Sequence, residues 1–445
     1  MSRPDRAHAT LGSRRREDRD EEAWSPGILI GRRRLGTLLA GALAAPRLAR
    51  AQGKAESAVF YSSVGPDLTL YHIDVAACTL ARQSTATMPA NVQYAWRHPT
   101  LPVLYVASSN GASGFGGAAG DKHHATAWRI DQATGALAPH GDAAALRSRP
   151  IHLSVDRAGA FVLIAYNNPS AVSVHEIKRD GTIGAEVAQQ TAPDAGIYAH
   201  QIRTTPDNAA AIVVTRGNDA TASRKEDPGA LKLFQFSDGQ LTGLGSIAPG
   251  GGLGFGPRHL DFHPTEPWVY VSLERQSRLA LFPLNGGRLA AEPAFSTETL
   301  AEPGNVRPRQ LAGTVYVHPN DRFVYVANRS DAMTEFQGKP VALAGGENNL
   351  AVFALAPDSG EPRLIQHIET HGFHPRTFAL DPTGRMLVAA NLSRRPVRDG
   401  DSVRLQPATL AAYHVGDDGR LAFERSYDID TGDALQFWSG MVALA

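Results

Sequence analysis

Six side chains have the types and the spacing to act together: His200, Arg216, Arg258, Glu274, Arg329 and Arg376. Arginine presents a rigid fork of donors that grips a carboxylate or phosphate at two points, and it keeps its charge at any physiological pH. Histidine and glutamate are the residues that can move a proton near neutrality. The set therefore describes a site for an anionic small molecule on which a proton transfer is carried out. Such a set has meaning only if the chain brings residues this far apart to one place.

A repeat does so. A short polar–apolar alternation, a turn of the His-Pro or Asp-Pro type and a strongly apolar run recur at 94–106, 152–164, 201–214, 259–271, 315–326 and 377–388. Taking Pro99, Arg157, Pro206, Pro264, Pro319 and Pro382 as anchors, the copies are 58, 49, 58, 55 and 63 residues apart. After each apolar run come a loop, a third alternating segment such as 170–177 or 277–284, a turn such as Asp180-Gly181 or Asp418-Gly419, and a fourth extended piece. Period-2 alternation broken by Gly-containing turns reads as antiparallel hairpins, and four strands per repeat read as a propeller blade. The segments 58–62 and 68–73 at the front and 423–445 at the back have no partners of their own and are expected to complete a seventh blade. The prediction is an all-β fold over residues 52–445. It is a seven-bladed β-propeller of four-stranded antiparallel blades, its ring closed by N- and C-terminal strands.

In a blade the first strand lines the central channel and the second runs back beside it. Residues six before and ten after each anchor then lie at the same end. The first column is Gln93, Ile151, His200, Arg258, Gly313 and Arg376; the second is Ser109, Asn167, Arg216, Glu274, Arg329 and Leu392. Packing alone calls for small or apolar residues there, so four arginines, a histidine and a glutamate indicate a ligand. A competing reading makes Glu274–Arg329 an ion pair tying two blades, with His200 bonded to a backbone carbonyl.

Other features are read as structural or as exclusions. His98, His263, His318 and His374 precede prolines and are expected to be turn residues. His123-His124 follows the Gly-rich stretch 111–120 and is expected to belong to a surface insertion. The stretch 250–256 lacks the Lys-Ser/Thr of a phosphate loop, and no Gly-x-Ser-x-Gly elbow occurs. One cysteine, Cys78, rules out an internal disulfide framework and multi-cysteine metal sites. With 44 basic and 44 acidic side chains the chain has no footprint for nucleic acid.

That balance is uneven along the chain, because residues 1–51 hold 11 arginines and 6 acidic residues. Within them, Arg32-Arg33-Arg34 precedes the apolar run 35–45 and an Ala49-Arg50-Ala51 cleavage pattern. The run is too short for a lasting membrane span. Paired arginines before a weakly apolar core resemble a twin-arginine export signal. The mature protein is expected to begin near Gln52, in the periplasm or outside the cell, as a monomer.

The segments 256–264 (Gly-Pro-Arg-His-Leu-Asp-Phe-His-Pro), 269–274 (Val-Tyr-Val-Ser-Leu-Glu), 323–329 (Phe-Val-Tyr-Val-Ala-Asn-Arg) and 375–385 (Pro-Arg-Thr-Phe-Ala-Leu-Asp-Pro-Thr-Gly-Arg) resemble the bacterial lactonase family of seven-bladed propellers. That family includes propeller-type 6-phosphogluconolactonases and is similar to the fungal 3-carboxy-cis,cis-muconate lactonizing enzyme. The resemblance covers nearly all of 58–445. It implies a metal-independent site, with no cofactor, in which His200, Arg258, Glu274 and Arg329 are catalytic. Arg216, Arg376, His259 and Asn167 are the expected substrate-binding residues. Two positions depart from the family pattern: Tyr198 stands where members often have the first His of a His-x-His, and the segment 215–219 reads Thr-Arg-Gly-Asn-Asp rather than carrying Asp-Leu-Gly-x-Asp. The implied reaction opens, or in reverse closes, the lactone of an anionic or sugar-derived acid. Arginines would hold the carboxylate or the carbonyl, with Glu274 or His200 as base and the other as acid. The alternative is an exported, non-catalytic propeller that binds a carboxylate ligand or a protein partner.

Overall fold

A computed structural model of the chain describes residues 57–112 and 117–444. The leader and its export features lie outside the described residues. Seven antiparallel sheets form the blades, each four strands deep, with the outermost position of blades 2 and 5 split between two short strands, and the 3-10 turn Pro249–Gly252 is the one helical segment among the described residues. The innermost strands of blades 2 to 7 are Asn91–Arg97, Pro150–Val155, Ala199–Thr204, Pro257–Phe262, Gln310–Val317 and Pro375–Leu380. In blade 1 the order from the outside is Thr79–Thr87, Asp67–Asp74, Ala58–Val64 and then Ser439–Ala443, so the last strand of the chain lines the channel. The expected closure holds, with one correction. Leu421–Ile429 is not part of blade 1 but the outer strand of blade 7, because the tight turn at Asp418-Gly419 folds it back onto Ala408–Val415.

The second strand of each blade is the most apolar, and it is buried on both faces by the neighbouring blades; every residue of Phe323–Ser330 is buried. Such a strand fits between two sheets packed face to face. The blades are also joined by a repeated pair of polar links. The hydroxyl groups of Tyr61, Tyr105, Tyr270 and Tyr325 donate to the carbonyls of Gly135, Gly181, Gly360 and Gly419 in the next blade, at 2.5 to 2.9 Å. Gly360 and Gly419 have φ of 70° and 79°, and a Cβ on either would run into Trp268 or Phe323, so only glycine serves there. Nearby, His98, His263 and His318 bridge to the carbonyls of Gly159, Asp321 and Gly384 through Nε2, while Nδ1 accepts from backbone N–H groups of their own turn. These three histidines are structural, as their shared repeat phase indicates.

Two hairpins were not foreseen. Met333–Phe336 with Lys339–Ala342 rises from blade 6, and Arg395–Asp399 with Ser402–Gln406 from blade 7. Both sit between the second and third strands of their blades, where the repeat predicts a plain loop. They pack on each other, with the Arg398 guanidinium 4.3 Å from the centre of the Phe336 ring. His123-His124 also departs from expectation. These residues open the blade strand His123–Ile130, and His123 Nδ1 lies 2.8 Å from the Ser109 hydroxyl, so they belong to the sheet rather than to an insertion.

Candidate active site

Six of the seven blades share an irregularity at one end. The pairing of the innermost strand with the second slips at Gln93, Ile151, His200, Arg258, Gly313–Thr314 and Arg376. A bulged residue leaves the ladder and bends its strand, which re-aims its side chain. The residues six before each anchor are thus the bulge residues, and the bulge turns them toward the channel mouth. Gly313 has a further effect. A Cβ there would sit 3.1 Å from the Ala327 carbonyl and 3.6 Å from Arg329 Cδ, so its absence leaves space along which Arg329 runs.

Glu274, just past the second strand of blade 5, is the hub. Its Oε1 pairs with Arg329 of blade 6 and lies 3.1 Å from Nε of Arg258, while Oε2 pairs with Nε of Arg216 from blade 4. Arg216 also donates to Asp219 at 2.9 Å, out at the rim. Arg329 Nη1 is 3.2 Å from Nε2 of His374, and Arg258 Nη1 is 3.3 Å from Nδ1 of His259. The His259 ring is 5.1 Å from that of His200, whose Nδ1 is buried with no hydrogen-bond partner among the described residues. Arg376 donates from Nε to the Phe437 carbonyl at 3.0 Å and lies 3.5 Å from the centre of the Phe437 ring; Arg149 approaches the same ring at 5.4 Å. Ile151, Leu392 and Phe437 form an apolar wall beside them.

Charge is the dominant property of this cluster. Arg216, Arg258 and Arg329 converge on a single buried carboxylate, and Arg376 and Arg149 add charge beside them with no ion pair of their own among the described residues. Burial alone would raise the Glu274 carboxyl, but Arg216, Arg329 and Arg258 outweigh it and hold the pKa down at about 2. Burial, and repulsion from Arg329, lower Arg258 to about 9 although Glu274 opposes both. Arg376, buried and facing Arg258, Arg329 and Arg149 without a carboxylate of its own, is held well below the usual guanidinium value. His152, His200, His259 and His374 are pushed well below 6.5, first by burial and then by the arginines, so all four are neutral at neutral pH. A dry site with surplus guanidinium charge favours entry of an anion, and an imidazole free of its proton beside it is able to accept one.

A dependence of stability on pH follows. These imidazoles take up protons first in the unfolded chain, so the fold loses stability as pH falls below about 6.5. Glu274, with its folded pKa depressed from 4.5 to about 2, adds to the loss only as pH falls through that lower window. The thermal midpoint, followed by calorimetry, is expected to drop between neutrality and about pH 5. A flat midpoint over that range would contradict the buried neutral imidazoles.

Seven of the eight expected residues are brought together: His200, Arg216, Arg258, His259, Glu274, Arg329 and Arg376. The eighth, Asn167, lies at the same end, as the register Tyr166↔Pro150 requires, but it makes no hydrogen bond or ion pair to the others among the described residues. The Glu274–Arg329 ion pair between blades exists, inside the cluster. The carbonyl bond expected for His200 in the competing reading is not seen. His374 corrects the turn reading given to it. It lies eight residues before its anchor, whereas His98, His263 and His318 lie one before theirs, and its ring faces Arg329 rather than a turn. Arg149, Tyr198 (its ring centre 5.9 Å from the Arg216 guanidinium), His374 and Phe437 were missed. Three of them were legible one step further out. Strand side chains on one face recur every two residues, and the residues eight before each anchor are Asn91, Arg149, Tyr198, Gly256, Leu311 and His374. Tyr198 and His374 hold φ of 61° and 57°, a left-handed conformation that bulky residues rarely adopt outside constrained sites.

A family model described as lactonase, 7-bladed beta-propeller, matches residues 60–398. The chain belongs to that lactonase family. A 6-phosphogluconolactonase of Bacillus subtilis is 28% identical over 330 residues, spanning 72% of this chain and 83% of the relative. One from Pectobacterium carotovorum is 27% identical, over 65% of this chain and 78% of the relative. Among solved structures, the periplasmic gluconolactonase of Pseudomonas aeruginosa superposes with a TM-score of 0.61 at 21% identity, covering 87% of this chain and 99% of that one. A Lactobacillus plantarum protein superposes with a TM-score of 0.63 at 23% identity, covering 87% and 98%. The family match takes in every cluster residue of the lactonase except Phe437.

Proposed function

We propose that this lactonase hydrolyses the lactone of an anionic sugar acid, with the bond-breaking steps at the Glu274 cluster. The observation that carries the proposal is the surplus of buried guanidinium groups beside the neutral imidazole of His200. The kinship with 6-phosphogluconolactonases supports the substrate class. Water attacks the lactone carbonyl carbon as His200 takes its proton. Arg258 and Arg329 face the oxygen on which negative charge develops, in a site where water competes weakly. The tetrahedral intermediate then collapses, the ring C–O bond breaks, and the imidazolium returns the proton to the departing oxygen. Glu274 is too acidic, and too fully engaged by arginines, to serve as the base at neutral pH. It orients the guanidiniums instead. The arginines that depress the His200 pKa are partly neutralised when an anionic substrate binds, so the imidazole becomes a better base with substrate in place.

The leader supports a site of action outside the cytoplasm, since Arg32-Arg33-Arg34, the short apolar run and the Ala49-Arg50-Ala51 pattern resemble a twin-arginine export signal. One experiment addresses both points. Protein recovered from the periplasm of an expressing Gram-negative cell, with its N-terminus read, is assayed by pH-stat against glucono-, 6-phosphoglucono-, glucurono- and glucaro-lactones. The expected result is an N-terminus near Gln52 and ring opening well above the spontaneous rate for at least one anionic lactone. Retention in the cytoplasm with the leader attached would overturn the export reading. Tight binding of the sugar acids without turnover of any lactone would overturn hydrolysis in favour of a binding propeller.

A further inference from the structure

Beside the cluster, toward blades 1 and 2, lies a cavity of about 260 Å³ whose lining includes Asn91, Gln93, Asn110, Arg149, Asp433 and Phe437; the Asp433 carboxylate is fully exposed at the rim and is paired with Arg394 at 2.9 Å. Phe437 is the wall it shares with the arginine cluster, because Arg376 and Arg149 both pack on that ring. Arg149 is only 7% exposed, has no ion pair among the described residues, and its Nε has no hydrogen-bond partner. Gln93, 3% exposed, spends its amide nitrogen on the carbonyls of Asn91 and Val92 and leaves Oε1 unpaired. Asn110 is fixed from behind, bonded to Asp121 and to the Lys122 N–H, so this side of the cavity is held in shape. A buried guanidinium with no ion pair among the described residues is costly unless a ligand supplies the opposite charge. A neutral sugar would leave Arg149 without that charge.

We propose that this cavity is the subsite for an anionic substituent, phosphate or carboxylate, that the substrate carries remote from its lactone carbonyl, with Arg149 selecting it. The proposal rests on the lactonase reading for the identity of the head group, and on the cavity alone for the tail. Arg149 is then a specificity-determining residue, and its loss acts on discrimination between substrates.

The test compares kcat/KM for 6-phosphogluconolactone (phosphate tail), glucaro-lactone (carboxylate tail) and gluconolactone (no anionic tail) in the parent, Arg149→Met and Arg149→Lys. The parent is expected to prefer one anionic-tailed lactone, which identifies the group the cavity takes. In Arg149→Met that preference should shrink about 10- to 100-fold, with partial retention in Arg149→Lys. An unchanged preference in Arg149→Met overturns the proposal, as does a parent that treats all three lactones alike. The second criterion needs no variant to fold. Calorimetric binding of 6-phosphogluconate, glucarate and gluconate separates this proposal from the hydrolase reading. Tail-dependent binding erased by Arg149→Met supports the subsite even if no lactone is opened. Turnover without tail dependence leaves the hydrolase standing and removes the subsite.

Discussion

Replacing Glu274 with glutamine is expected to destabilise the protein by about 3–5 kcal/mol, because it leaves several buried guanidiniums without their counter-charge. The glutamine keeps the size, loses the charge and turns an NH2 donor toward a guanidinium. Arg216, Arg258 and Arg329 all converge on this one carboxylate, whose side chain is 6% exposed. Denaturant unfolding of the parent and variant measures the loss. A second readout identifies its cause: sulfate or phosphate should stabilise the variant more than the parent, since an added anion supplies the charge that the variant lacks. A variant as stable as the parent and indifferent to anions would show that the arginines do not depend on Glu274. Lactone opening should fall with it, because the guanidiniums lose the group that aims them.

The second large effect is expected at His200. Changing it to asparagine keeps a polar side chain at the bulge and removes the proton acceptor, and kcat should fall by about 10²- to 10⁴-fold, the usual contribution of a positioned acid–base group. KM should change far less, because the anion is held by arginines. A steady-state comparison on whichever lactone the parent opens best, with product binding checked by calorimetry, separates the two parameters. A kcat within a few-fold of the parent would move the proton transfer elsewhere, and His374, against Arg329, would be the next group to examine.

The ring architecture was legible because it is written six times. The anchor turns at Pro99, Arg157, Pro206, Pro264, Pro319 and Pro382 recur at a steady interval, and each is followed by a run that is apolar without alternation, as a strand covered on both faces requires. The extra hairpins of blades 6 and 7 were not legible. Their residues, such as Lys339 and Ser402, follow no repeat, and their position depends on two loops meeting across a blade boundary. The site was legible wherever the backbone repeats its bulge, which is why His200, Arg258 and Arg376 share one phase. Tyr198 and His374 escaped because they lie two residues further out, where the strand has ended and φ has turned positive. Phe437 escaped for a different reason. It precedes the closing strand, which belongs to no copy of the repeat, so no column contains it.

That closing strand also bears on how the molecule is made. Ala58 pairs with Ala443, so the first described strand must wait for nearly the whole polypeptide before its channel-side edge is covered. Phe437, which supports Arg376 and Arg149, is carried on the same late segment. A nascent chain still within the ribosome tunnel therefore has an open ring and an unfinished pocket, and partnerships this distant along a chain form slowly. Catalytic competence arrives with the final stretch of synthesis, and a prematurely terminated product would lack both its seal and its chemistry.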